Sequence, residues 1–227
     1  MKNYKHYSFD LWGTLIRPNE KFEEAIALYI YNVYASSYFT INQIINIIRD
    51  IEFKSTRCSE LIEKHIDSSI MINSIFERIK WIPTLKDIEN VQSYFNKLFL
   101  ENLPYLYDEH TRHVLKTLKE KGCSMNILSN TGFVSGKILD ISLSKLEILD
   151  YFDFTMYSDE YGFAKPNEEF FELMFWTYLE HIGILKTVNR NDVIHIGDNP
   201  IADGGSTQIN VDFFQINTNN NTILDLL

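Results

Sequence analysis

The sequence predicts an α/β fold: a doubly wound parallel sheet with an all-helical domain inserted after its first strand. Two observations carry this. From about residue 109 onward, strand-like and helix-like segments alternate, the pattern of a parallel sheet built from crossover units. Between a first strand ending near Trp12 and a second beginning near Ser124, the only periodicity is helical. No glycine occurs from Ile16 to Lys121, as suits long helices with few tight turns.

Taken in order, the run Tyr4 to Phe9 reads as a buried strand and leads into Phe9-Asp10-Leu11-Trp12-Gly13-Thr14-Leu15. An Asp at a strand end, followed by Gly-Thr in a tight turn, presents a carboxylate in the crevice at the carboxyl edge of an open sheet. A carboxylate held there can act as a nucleophile, although strand-Asp-turn-Gly is also ordinary loop chemistry. Residues 20–39 then carry Phe22, Ala25, Ile26, Tyr29, Ile30 and Val33 at amphipathic-helix spacing. Thr40 is placed to cap a second helix whose apolar face includes Ile41, Ile44, Ile45 and Ile48. A third helix is expected over 61–81, broken at Asp67-Ser68-Ser69, and a fourth over 84–100, before Pro104. Such a block between the first two strands reads as an inserted domain. Residues 17–105 are assigned to it, and 1–16 with 106–227 to the sheet.

The second half yields a helix over 109–121 closed by Gly122, a strand over 124–128 and a helix over 135–146. A strand over 154–157, a helix over 167–182 and a strand over 192–196 follow. A short helix from Pro200 and a strand over 211–216 complete the pattern. The tail, with Asn217, Asn219, Asn220 and Asn221, reads as a solvated terminus.

Composition narrows the partners. Apolar residues are 45% and charged residues 23% of 227, which suits a globular chain with a good core. A net charge of −10 argues against nucleic acid or an anionic membrane as partner. A small anionic substrate is compatible only if a metal, a Lys or helix N-termini concentrate positive potential locally. Cys58 and Cys123 lie far apart with no metal-ligand spacing, as expected of free thiols in a reducing compartment. No apolar run approaches the ~20 residues of a membrane span and no signal-like segment opens the chain. A cytoplasmic location is expected.

Three further segments join Asp10. Met125-Asn126-Ile127-Leu128-Ser129-Asn130-Thr131 is an apolar strand ending in hydroxyl and amide side chains. Gly162-Phe163-Ala164-Lys165-Pro166-Asn167-Glu168-Glu169-Phe170 places a Lys in a loop just before a helix. Val193-Ile194-His195-Ile196-Gly197-Asp198-Asn199-Pro200-Ile201-Ala202-Asp203 is a strand ending in two carboxylates five residues apart. The order strand-Asp, strand-Ser, loop-Lys, strand-Asp…Asp resembles the four motifs of the haloacid dehalogenase (HAD) superfamily, mostly phosphatases with an Asp nucleophile. The resemblance covers residues 1–16 and roughly 108–215.

It implies a Rossmann-like core and a helical cap that closes over the active site. Asp10 would attack phosphorus and form an aspartyl-phosphate. Ser129, with Asn130 and nearby backbone amides, would hold a phosphoryl oxygen, and Lys165 would pair with both nucleophile and phosphoryl group. Mg²⁺ would be bound by Asp198, with Asp10 and the Trp12 carbonyl. Asp203 would be a further ligand or would orient Lys165. His195 and His6 read as satisfied core histidines.

Trp12 departs from the pattern. Phosphatases of this family usually place a second Asp there, as general acid and base, and such catalysis is typically worth about 10²–10⁴-fold. The carbonyl remains and the proton-transfer group does not. Two-haloacid dehalogenases instead carry an aromatic residue at this position, usually Tyr, and halide needs no proton to leave. The metal-independent dehalogenases, however, have Ser-Asn where this chain has Gly197-Asp198. Phosphonoacetaldehyde hydrolases also lack the second Asp but add a Schiff-base Lys on the cap, for which Lys21 and Lys54 have no supporting signature. A third class is a non-enzymatic relative that binds an anion or a partner. The retention of Asp10, Lys165 and Asp198 together favours an Mg²⁺-dependent phosphatase.

Overall fold

The computed structural model describes residues 2–35, 37–183, 188–218 and 221–227. In chain order it comprises β1 (His6–Phe9), β2 (Ile16–Arg17), α1 (Glu20–Ile30), α2 (Ile41–Ile62), α3 (Ser68–Arg78), α4 (Leu85–Glu101), β3 (Tyr105–Leu106) and α5 (Thr111–Glu120). Then follow β4 (Ser124–Ser129), α6 (Gly136–Lys145), β5 (Phe154–Tyr157), α7 (Ser158–Tyr161), α8 (Glu168–Ile182), β6 (Val193–Gly197) and β7 (Asp212–Gln215).

The strands β5-β4-β1-β6-β7 form one sheet, every neighbouring pair parallel. β1 is central. The chain runs from it outward through β4 and β5, then returns to build β6 and β7 on the other side, so the order reverses at β1. Open α/β sheets bind ligands at such a switch point, beyond the carboxyl ends of the strands. Phe9 pairs with Ile127 on one side and Ile196 on the other, which brings Asp10, Ser129 and Asp198 to one edge.

Two apolar clusters hold this sheet. One joins Phe9, Ile127 and Ile196 to Val114, Leu115 and the helices α1–α4. The other packs Leu128, Met156 and Val193 against Phe170, Phe171 and Met174 of α8. Burying each such side chain contributes roughly 1.5–3 kcal/mol before entropy is counted. Period-two alternation puts His6, Ser8 and Asp10 on the α8 side of β1, so that face carries a buried polar line through an otherwise apolar core.

The helical block is set by its caps. Thr40 and Thr84 each accept from the backbone N–H three residues on, and the side chains of Gln43 and Asp87 reciprocate. Asp67 caps α3 through the Ser69 N–H. The expected third helix over 61–81 is therefore two pieces: α2 continues to Ile62, and α3 starts only after Asp67. The expected helix over 20–39 is α-helical only to Ile30, after which Tyr31–Ala35 widens into a π-type turn. The segment after Pro200 is a 3₁₀ run, Asp203–Ile209. At the junction with the sheet, β2 and β3 pair antiparallel, so the two chain crossings run side by side.

The tail is docked rather than solvated. Asn217 Nδ2 donates to the carbonyls of Gly13 (2.6 Å) and Thr14 (3.2 Å), Asn221 Nδ2 donates to Gln215 O, and Ile223 and Leu226 are buried. Asn219 and Asn220 lie outside the described residues. No described helix is long and apolar enough to cross a membrane. Cys58 and Cys123 are both free thiols.

Candidate active site

At the carboxyl edge, the turn after β1 folds back on itself. The N–H groups of Leu15 and Ile16 both donate to Leu11 O, and Gly13 sits at φ +72°. A Cβ there would lie 2.5 Å from Asp198 Oδ2. Gly13 thus supplies both a left-handed backbone and room for a neighbouring carboxylate.

The structure brings Asp10, Ser129, Lys165, Asp198 and Asp203 together. Asp10 is buried. Its Oδ1 accepts from Ser129 Oγ (3.1 Å) and Lys165 Nζ (2.7 Å), and its Oδ2 from Thr14 Oγ1 (3.2 Å). Lys165 is also buried and donates to Asp203 Oδ1 at 2.5 Å. Asn130 lies beside them and holds the Lys165 loop: its Oδ1 accepts from Lys165 N (2.7 Å) and its Nδ2 donates to Lys165 O (3.0 Å). That is a positioning contact, different from the phosphoryl contact expected of Asn130.

The Asp203 carboxylate takes three contacts. Oδ1 receives Lys165 and His195 Nε2 (3.2 Å), and Oδ2 receives Asn199 N (3.0 Å), while a Cβ at Gly197 would collide with this carboxylate. The geometry therefore favours the second role expected of Asp203, orienting Lys165. His195 is a satisfied core residue, with Ser8 Oγ 2.9 Å from its Nδ1, and it also fixes Asp203. His6 is likewise satisfied, by Ser124 and Asn126.

Asp198 differs. It is half-buried, and among the described residues no other residue donates to its carboxylate. None donates to the Trp12 carbonyl either. One oxygen from each of Asp10, Asp198 and Asp203 lies within 4.8 Å of the others. Burial, and then the Asp203 charge, push the Asp198 carboxyl above its ordinary value. Asp10 is raised by burial although Lys165 opposes it. For Asp203 burial also acts upward, but Lys165 and His195 prevail and hold it down. For Lys165, burial acts downward but the two carboxylates prevail and keep it charged.

These groups form one end of a cavity of about 540 Å³ between the sheet edge and the helical block. Trp12, half-buried, meets Phe99 edge-on at 6.2 Å, and Phe99 meets Phe22 at 5.2 Å. From α2, Glu52, Ser55, Thr56, Ser59 and Glu60 also line it. The sequence reading missed these α2 residues and Thr14. Polar residues at i, i+3, i+4, i+7 and i+8, continuing the face of the buried Ile44, Ile48 and Ile51, were the available signal: a polar stripe with helical period.

The model of the family described as haloacid dehalogenase-like hydrolases matches residues 4–204. No curated protein matches the chain. Among solved structures, YfnB of Bacillus subtilis, described as a HAD-hydrolase and solved bound to magnesium, superposes with a TM-score of 0.71 at 17% identity, covering 96% of this chain and 91% of that one. The L-2-haloacid dehalogenase of Xanthobacter autotrophicus, with chloropropionic acid covalently bound, gives 0.61 at 16% identity, covering 94% and 77%. A HAD phosphatase of Thermococcus onnurineus gives 0.61 at 18% identity, covering 98% and 95%. With its buried Asp–Lys–Asp array at the switch point of a parallel sheet, the chain belongs to the haloacid dehalogenase-like hydrolases.

Proposed function

We propose that the protein is an Mg²⁺-dependent phosphatase acting on a small anionic metabolite through an aspartyl-phosphate at Asp10, with residues 17–105 as its cap. The observation that carries this is Asp198. A half-buried carboxylate without a donor, close to two others that share a single Lys, is electrostatically uncompensated. Asp198, Asp10 and the Trp12 carbonyl are hard oxygen donors of the kind Mg²⁺ takes, with waters filling the rest of its shell. When bound, Mg²⁺ would offset the charge of the phosphoryl oxygens next to Asp10.

The chain's own groups then divide the work. Ser129, Lys165 and Thr14 fix the Asp10 carboxylate, so little reorganisation remains at the moment of attack. An Asp10 oxygen bonds to phosphorus and the ester P–O bond breaks, its electron pair going to the departing oxygen. Water next attacks the same phosphorus, releasing phosphate and restoring the carboxylate. Trp12 offers an indole where a proton donor would be useful, so departing groups that need little protonation should react best.

A second reading, haloacid dehalogenation, is favoured by one feature, the aromatic Trp12. A 2-haloacid, however, brings a carboxylate of its own. Among the described residues lining the cavity, Lys165 is the one cation, and it already bridges Asp10 and Asp203.

The deciding experiment is beryllofluoride binding in the presence of Mg²⁺, followed by ¹⁹F NMR on wild type, Asp10→Asn and Asp198→Asn. A bound signal in wild type that both variants lose is the expected result. No signal in wild type, with ¹⁸O from water entering Asp10 during single-turnover reaction with a haloacid, would overturn the reading in favour of dehalogenation.

A further inference from the structure

The end of β7 carries two amide side chains, Gln215 and Asn217, on either side of the buried Ile216. Both lie beyond residues 4–204, the part of the chain that matches the family model. Each reaches a different catalytic turn. Gln215 Nε2 donates to the backbone carbonyl of Asp198 at 2.9 Å, in the turn after β6. Asn217 Nδ2 donates to Gly13 O (2.6 Å) and Thr14 O (3.2 Å), in the turn after β1. Among the described residues, these three carbonyls have no other donor. Backbone carbonyls in a packed turn need a partner, so both turns depend on this one short stretch.

The stretch is itself fixed. Ile216 N donates to Gly197 O (3.0 Å), Asn217 N to Asn221 O (2.9 Å), and Asn221 Nδ2 to Gln215 O (3.0 Å). Asn217 sits at φ +61°, a left-handed conformation that Asn and Gly adopt more readily than other residues. Held on both sides, its amide loses little further freedom by bonding the turn. The chemistry of the two amides matters as well as their reach. Asp10, Asp198 and Asp203 converge on a site where Lys165 bridges two of them. An amide donates to a carbonyl without adding charge there, whereas a Lys or Arg would compete with a divalent cation for the carboxylates.

We propose that Gln215 and Asn217 are positioning residues for the cation site: they clamp the turns carrying Trp12 and Asp198 and so fix its shape. The inference rests on the phosphatase reading, in which those two turns supply Mg²⁺ ligands. Mg²⁺ demands near-ideal octahedral geometry, whereas Ca²⁺ accepts irregular shells of roughly 6–8 oxygens. A clamp that sets geometry therefore governs the preference between the two ions. A contact that only adds stability does not.

Calorimetric titration of the full chain with Mg²⁺ and with Ca²⁺ tests this, and urea unfolding checks that each variant is folded. Asn217→Gly is the cleanest change, because it keeps the left-handed backbone accessible and removes the donor. It should weaken Mg²⁺ binding about tenfold or more and Ca²⁺ binding by less than about threefold. Gln215→Leu should act in the same direction, and it carries the test alone if Asn217→Gly does not fold. Unchanged Mg²⁺ affinity in either folded variant, or an equal loss for both ions, would overturn the proposal. Wild-type Mg²⁺ binding that Asp198→Asn abolishes and both clamp variants retain would remove this inference alone. No Mg²⁺ binding to wild type would remove the phosphatase reading and this inference with it.

Discussion

Gly13 shows how much one residue position can constrain the site. Its φ of +72° is a conformation that costs an ordinary L residue roughly 1–2 kcal/mol. A methyl group would in addition displace the Asp198 carboxylate, 2.5 Å away from where the Cβ would stand. Gly13→Ala should therefore lower stability by about 1–2 kcal/mol or more in urea unfolding and weaken Mg²⁺ binding measured by calorimetry. Gly122 provides the control: it has a similar φ of +80°, but nothing lies within 4 Å of its Cβ position. Gly122→Ala should show the conformational cost without any change in Mg²⁺ affinity. If both variants bind Mg²⁺ like wild type, Asp198 is not the ligand proposed.

At the scale of elements, the C-terminal end of α2 is the point where the helical block grips the loops that carry Lys165 and Asp198. Beyond Ile62 the chain forms an isolated antiparallel bridge, Lys64 with Phe163. His65 N donates to Gly162 O (3.0 Å) and Ala164 N to Glu63 O (3.2 Å), one residue before Lys165. Glu60, buried, accepts from Asn199 Nδ2 at 2.7 Å, next to Asp198. The same short stretch thus touches the loops of both Lys165 and Asp198. Glu60→Ala removes the side-chain half of this junction and leaves the backbone half. A charge-assisted bond of this kind is worth roughly 1.5–3 kcal/mol, so amide exchange at His65 and Ala164 should accelerate by about tenfold or more. Unchanged exchange would show that the backbone bonds alone secure the junction.

Much of this architecture was legible in the chain, for identifiable reasons. Thr40 announced its helix because it meets an orphan N–H that needs an oxygen, and in the structure Thr84 and Asn167 do the same for theirs. Asp10, Ser129, Lys165, Asp198 and Asp203 stood out because each ends a strand or precedes a helix at the edge where α/β sheets work. What escaped was short or non-local. β2 and β3 have two residues each, too few for any period, and α7 is a single turn. Asn217 looked like low-complexity tail, yet it closes the turn around Gly13 from more than two hundred residues away.

For the whole molecule, the buried polar line on the α8 side of the sheet sets the response to acid. His6 is fully buried, stacked on Tyr178 at 4.0 Å and bonded to Ser124 and Asn126. Burial pushes its pKa down to about 4, against small upward contributions from Asn126 and Asp153, with His181 acting downward. Above the ordinary value near 6.5 both folded and unfolded chains hold it neutral, and it adds nothing to the pH dependence. Below that value the unfolded chain takes up a proton that the folded one refuses, so stability falls as pH drops from 6.5 towards 4. A shift of this size corresponds to a loss on the order of 3 kcal/mol by the bottom of that window. His195, also pushed by burial to about 4, contributes in the same direction. Asp203, held low, is protonated in the unfolded chain first, so its contribution too is lost on acidification, but mostly below the histidine window. His6→Phe separates these effects, because it keeps a ring against Tyr178 and removes the titration. Its absolute stability should be lower at neutral pH, since Asn126 loses a partner. Its decline between about pH 6.5 and about pH 4, read by urea unfolding, should nonetheless be shallower than that of wild type by on the order of 3 kcal/mol. Parallel curves for the two proteins would mean that His6 accepts its proton in the folded state as readily as in the unfolded one, and the acid sensitivity would then belong to other groups.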